Sequence, residues 1–310
     1  MLNIVGKRYW YFLFSLIIII PGTISLATFG LRLGTDFTGG TELTIQVPKS
    51  GQATQIGNIV RNRTGNLNFV QPVLSGTCCQ YLARTKQITP SQLQAIKSDI
   101  ARAYPHSPGV VQSSIVSGTI ASQLTQQAII AVAAAAVAIL LYISFAFRNA
   151  PNPIRFGTAA VIAMLHDVLV VLGIFSILGK LLNVEVDAPF VTAMLTIIGF
   201  SVHDTIVIFD RIRENLGKRT GEPFDTVVNH SILQSFVRSI NTSFTVVLTL
   251  LAVFLFTGEA IRFFVLAMLI GIISGTYSSI FNASQILVVW HNHELRRFFR
   301  RGGDASARAA

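Results

Sequence analysis

The chain has 310 residues, of which 51% are hydrophobic and only 12% charged, and its mean hydropathy is +0.59. A water-soluble domain carries about 25% charged residues, so this chain lacks the polar surface to stay dissolved and lipid must cover much of it. The net charge of +10 does not mark a nucleic-acid binder, because the basic residues stand at the ends of apolar runs and not on one patch.

Lys7 and Arg8 precede a first apolar run from Tyr9 to Phe29. That run is longer than the roughly 7–15 residues of a signal-peptide core and lacks an Ala-x-Ala exit, so it reads as a retained membrane span. Residues 1–30 therefore form a short tail and the first span. The segment 31–125 is polar enough to stand outside the membrane as a small α+β domain. Thr41 to Val47 alternates as a strand and ends at Pro48 and Gly51. Gln52 to Arg63 suits a short helix. Leu67 to Leu74 and Thr77 to Arg84 are strand-like and flank Ser75-Gly76, a hairpin turn signal. Thr89-Pro90 opens a helix to Tyr104, with proline in the first turn, and Val110 to Val116 is a last strand. The order β-α-β-β-α-β predicts a ferredoxin-like arrangement. Cys78 and Cys79 are adjacent; a bridge between neighbours is strained, and they read as free thiols.

A spanning helix needs about 20 mostly apolar residues. Five further stretches within 126–290 qualify, from Gln126 to Phe147, Phe156 to Leu178, Pro189 to Phe209, Ile240 to Thr257 and Ile261 to Trp290. The last exceeds what a bilayer requires, so it should tilt or emerge. Residues 291–310 are a basic tail. The fold class is thus a polytopic helical membrane protein with six spans and one α+β domain between the first and second. The two ends and the even-numbered connections carry Lys7, Arg8, Arg148, Arg155, Arg211, Arg213, Lys218, Arg219, Arg296, Arg297, Arg300 and Arg301. The short odd-numbered connections carry Lys180 and Arg262 beside Glu185, Asp187 and Glu259. Positive residues stay inside, so both termini are expected in the cytoplasm and 31–125 outside.

Ionisable residues within spans are costly and point to function. In the fourth span Asp204 lies six residues before Asp210, about 9 Å deeper at 1.5 Å per residue, with Ser201 on its face at i−3. His203 points about 100° away and is read as a packing residue. In the fifth span Arg238, Asn241, Thr242, Thr245 and Thr249 share one face, which should turn into the bundle, and Arg238 is the natural partner for Asp204. In the sixth span Gly271, Ser274, Gly275, Ser278, Ser279 and Asn282 form a small-residue seam that lets helices approach closely. His166 and Asp167 lie midway along the third span, as relay members or as packing partners. The spans contain no metalloprotease His-Glu-x-x-His and no serine-protease site; no enzyme, cofactor or metal is expected.

These residues fall into longer motifs. GTDFTGGTEL (Gly34 to Leu43), SGTIASQLTQQA, LHDVLVVLGIFS, TIIGFSVHDTIVIFDRIREN (Thr196 to Asn215) and RSINTSFTVVLTLLAVFLFTG follow one another across nearly the whole chain. The sequence resembles the SecF family, the accessory membrane subunit of the bacterial Sec protein-export machinery, within the resistance-nodulation-division superfamily. The resemblance implies a SecD-like membrane partner, the Sec channel complex, an unfolded secreted polypeptide as client, and residence in the bacterial cytoplasmic membrane. It implies that proton flow drives export, with Asp204 and Arg238 at the family's proton-pathway positions. It implies that Asp36, Phe37, Thr38, Gly39 and Gly40 form the hinge-like entry to the outer domain. The family pattern carries Asn where this chain has His203. A half-size proton-driven exporter of small molecules or lipids is the alternative within the superfamily.

Overall fold

The computed structural model describes residues 2–47, 52–65, 69–75, 78–148, 150–219 and 221–294. A turn of 3-10 helix at Val5–Lys7 runs into α1 (Arg8–Phe29), the first span. A one-turn helix, α2 (Thr35–Thr38), leads into the α+β domain. This is built from β1 (Gly40–Val47), α3 (Ala53–Thr64), β2 (Phe69–Ser75), β3 (Cys78–Thr85), α4 (Pro90–Ala103) and β4 (Gly109–Val116). The strands lie in the order β2-β3-β1-β4 with every neighbouring pair antiparallel, which is the expected ferredoxin-like sheet. Strand period 2 puts Leu43, Ile45 and Val47 on one face. There they pack with Ile56 and Val60 of α3 and Ile96 and Ile100 of α4, all buried. Thr89 and Gln92 close a capping box at the start of α4, with Pro90 at its first position. Gly76 of the expected hairpin turn lies outside the described residues, but the strands pair from Phe69 opposite Arg84 to Ser75 opposite Cys78.

The remaining spans are α5 (Gly118–Ala146), α6 (Pro153–Leu182), α7 (Ala188–Lys218), α8 (Phe224–Phe256) and a sixth made of α9 (Glu259–Ser278), a π-helical turn (Ser279–Ala283) and α10 (Ser284–His291). Hydropathy marks only the part of a helix that lipid covers. The helices accordingly run past the apolar stretches: α5 begins at Gly118 and α8 at Phe224, where the apolar runs begin at Gln126 and Ile240. Backbones meet closely where α1 crosses α6, since a Cβ on Gly22 would stand 2.9 Å from Gly173 Cα. The hydroxyls of Ser25 and Ser176 join 2.9 Å apart beside that crossing. At the end of the bundle where α1 begins, Asn229 Oδ1 accepts from the Ile4 and Val5 amides. There too, Arg8 pairs with Glu294 and with Asp225.

Candidate functional site

Asp187 caps α7, its Oδ1 accepting from the Phe190 amide at 3.1 Å. Burial pushes the Asp187 carboxyl up, against the pull of that amide. Further along α7, Ile197, Ser201, Thr205, Ile208 and Ile212 are buried at helical spacing, which aims this face into the bundle. Asp204 belongs to the same buried set and is 5% exposed. Its Oδ2 is buried without a hydrogen-bond partner. Ser239 of α8 stands against it, and Ser239 Oγ is likewise buried and unpartnered. Arg238 acts on Asp204 by charge but forms no ion pair with it. The Arg238 side chain instead lines an open cavity of about 330 Å³ with Asp210, Arg213, Ile206, Gln234 and Ser235. Asp210 pairs with Arg213 at 2.6 Å on the exposed side of that cavity, and His203 is exposed.

The polar face of the fifth span does not turn inward as its composition suggests. Arg238, Asn241, Thr242, Thr245 and Thr249 are exposed on the outside of the chain's own bundle. The reason lies on the opposite face. Ser231, Ser235, Ser239 and Ser243 recur every fourth residue and are buried, and their small side chains let α8 sit close to its neighbours. Asn215 Nδ2 donates to Ser231 Oγ at 2.9 Å, and Thr276 Oγ1 donates to Ser243 Oγ at 2.7 Å. The serine repeat is legible in the sequence and was the signal for the true packing face. Thr242, Thr245 and Thr249 turn their hydroxyls back onto their own helix carbonyls, which satisfies them without a second helix.

The most completely bonded polar group in the spans is Asp167 of α6, 1% exposed. Its Oδ2 accepts from Ser201 Oγ of α7 and from Ser278 Oγ of α9, both at 2.6 Å. Its Oδ1 accepts from Ser274 Oγ at 2.7 Å and lies 3.0 Å from His166 Nδ1. Ser201 thus serves Asp167 and not Asp204, the residue whose face it shares. The seam of α9 makes this possible. A Cβ on Gly275 would stand 2.9 Å from Ser201 Cβ, and one on Gly271 would run into the Ile197 side chain, so glycine at both positions brings α9 onto α7. Ser279 Oγ adds a bond to the Ser201 carbonyl at 3.0 Å, and Asn282 Nδ2 one to Ser15 Oγ of α1 at 2.8 Å.

The segment Asp36 to Gly40 joins α1 to the α+β domain and is bound to the start of the fourth span. Asp36 Oδ2 accepts from the Ala188 amide at 2.9 Å. Phe37 packs in the apolar cluster around Val186 and Phe190. Thr38 Oγ1 donates to the Gly34 carbonyl at 2.9 Å, and the Gly34 amide donates to the Val186 carbonyl at 2.8 Å. Gly39 and Gly40 have φ of +72° and +140°, and a Cβ on Gly40 would meet the Thr85 carbonyl oxygen at 2.5 Å, so only glycine fits there. A second tie runs through ions. Arg84 of β3 pairs with Glu42 at 2.8 Å and with Glu185 of the α6–α7 connection, and Glu185 also meets Arg32 at 3.4 Å. Burial works against the Arg84 charge, but the Glu185 and Glu42 carboxylates outweigh it and hold the guanidinium above its ordinary value. Sequence reading missed this network, because its four members are scattered over four segments.

Residues 96–293 match the family described as protein export membrane protein SecD/SecF, C-terminal, and residues 24–47 match the SecD/SecF GG motif. A protein translocase subunit SecF from Thermobaculum terrenum is 49% identical over 97% of this chain and 98% of its own length. The chain belongs to the SecF family. A SecF from Anaerolinea thermophila is 41% identical over 97% of this chain. A protein translocase subunit SecDF from Bacillus subtilis is 34% identical over 94% of this chain, which spans 38% of that longer relative. The crystal structure of SecDF, a translocon-associated membrane protein from Thermus thermophilus, superposes with a TM-score of 0.81 at 30% identity. That match covers 94% of this chain and 39% of the SecDF chain. With six helices among the described residues long and apolar enough to span a bilayer, the SecF-family chain is a multi-pass membrane protein. Asp204, Arg238 and Asp167 all fall within the matched SecD/SecF region, and Asp36 to Gly40 fall within the GG motif.

Proposed function

We propose that this chain is the SecF subunit of a protein-export translocase of the bacterial cytoplasmic membrane. With a SecD-like subunit and the Sec channel it uses proton flow to draw an unfolded secreted polypeptide across and release it outside. The termini are cytoplasmic and the α+β domain is outside. The observation that carries the reading is Asp204. A buried carboxyl oxygen without a partner is costly in a membrane. Here it lies within reach of the charge of Arg238, a cation that lines an open cavity. A group so placed gains by exchanging a proton, and Arg238 gains by closing on the carboxylate once the proton leaves. The exposed polar face of α8 supports a partner, because lipid is a poor neighbour for Arg238 and Asn241. SecDF relatives carry a SecF-like region within a longer chain, which supports SecD as the partner seated there. Asp36 and Arg84 would pass a shift of α7 to the outer domain. The test is export into inverted membrane vesicles with and without a proton gradient. Asp204→Asn should assemble normally and lose the gradient-dependent part of export. Full gradient-dependent export by the assembled variant would overturn the reading.

A further inference from the structure

We propose that His166 and Asp167 form a second proton-binding site within the spans, separate from Asp204. Asp167 accepts hydroxyl hydrogens from Ser201, Ser274 and Ser278 and faces His166 Nδ1. An ionised carboxylate offers about four acceptor positions, so the surroundings are arranged for the anion. Yet no lysine or arginine among the described residues pairs with it; its one ion-pair neighbour is His166. A net negative charge this deep is expensive, and only the imidazole is placed to relieve it. His166 Nε2 is buried and has no hydrogen-bond partner, so nothing on the far side of the ring fixes its protonation. The pair therefore holds one exchangeable proton, either as imidazolium beside carboxylate or as carboxylic acid beside imidazole. Both forms are neutral, and the empty pair carries one negative charge.

Proton uptake leaves the three serine bonds in place. In the acid form the O–H occupies the position that faces His166 Nδ1 and donates to it; in the imidazolium form Nδ1–H donates to Oδ1. Ser201 lies one helical turn before Asp204 on α7, so the pair is anchored on the span that carries the other carboxylate. Among the described residues, the titratable group in contact with the pair is Tyr277 of α9, whose ring lies 6.4 Å from that of His166. Tyr277 is committed as a donor to the Tyr11 carbonyl of α1 at 2.8 Å.

The test reads proton binding and not export, so it stands whether or not Asp204 drives translocation. The chain is reconstituted in lipid with its membrane partner, and infrared difference spectra are recorded on a pH step. The spectra of the Asp204→Asn complex should contain a titrating carboxyl or imidazolium band that is missing from those of Asp204→Asn/Asp167→Asn, the carboxyls common to both cancelling in the difference. Identical titrating bands in the two variants would overturn the proposal. Should the double variant fail to assemble, Asp204→Asn/His166→Gln serves in its place. The band should then shift to a different pH, and an unmoved band would overturn the assignment.

Discussion

Replacing Gly275 by alanine tests how closely the fourth and sixth spans must meet. The new Cβ would lie 2.9 Å from Ser201 Cβ and 3.3 Å from Ser201 Cα. Comfortable carbon contacts are about 3.5–4.0 Å, so the helices must part by roughly half an ångström to one ångström. Overpacking of this kind costs about 1–3 kcal/mol. The displacement also stretches the 2.6 Å bond from Ser201 to Asp167, a contact of a class worth about 1.5–3 kcal/mol when the acceptor is charged. Better helix propensity returns about 1 kcal/mol. With overpacking at about 2 kcal/mol and the stretched bond about half lost, at about 1 kcal/mol, the net loss after the propensity gain is about 2 kcal/mol, or about thirtyfold in the folding constant. Thermal melting of the purified complex in mild detergent measures it, with Gly217→Ala as control, because a Cβ on Gly217 meets nothing within 4 Å. Gly275→Ala should melt several degrees below the control. Equal melting temperatures would refute the close approach of α7 and α9 as the source of stability.

Gly40→Ala forces a side chain against the Thr85 carbonyl at a φ of +140° and should abolish accumulation of the assembled protein, read by immunoblot of membranes; normal levels would contradict the geometry. Asp187→Asn should raise the melting temperature at pH 7. Burial raises the folded-state pKa of Asp187, so its stabilising contribution belongs to the protonated form, is full below an ordinary Asp value of about 3.9 and fades as pH rises through the folded value. Asn caps a helix as well as Asp, so the advantage of the variant should shrink toward acid pH; an advantage that grows there would reverse the sign. With Cys78 and Cys79 changed to Ser, a cysteine at Lys218 should label from the cytoplasmic side and one at Lys97 from the outside. Labelling of the Lys218 position from outside would invert the topology.

The six spans were legible because each carries about 20 mostly apolar residues in a run, and the β-α-β-β-α-β order because strands alternate with period 2 and turn residues punctuate them. Helix ends were not, since α5 and α8 continue into polar sequence that hydropathy does not register. The partly buried ends are held by caps and side-chain bonds, as Ser117 does for the Ile120 amide at 3.3 Å. At the site, Asp204 stood out because a lone carboxyl in an apolar run is rare. The orientation of α8 did not follow from its most polar residues. Threonine and asparagine were expected to seek the interior, but the quieter serine repeat packs there. The Asp167 cluster was out of reach for another reason. Its serine donors come from two other spans, and only the approach of α9 to α7 at Gly271 and Gly275 brings them to one carboxylate.

Proton flux through the complex reports whether Asp204 carries the proton. The complex with its SecD-like partner is placed in liposomes that enclose a pH-sensitive dye, and an imposed gradient is followed for wild type and Asp204→Asn. Wild type should pass protons, and an intact Asp204→Asn complex should fall to the level of empty liposomes. Wild-type flux through the Asp204→Asn complex would contradict that role.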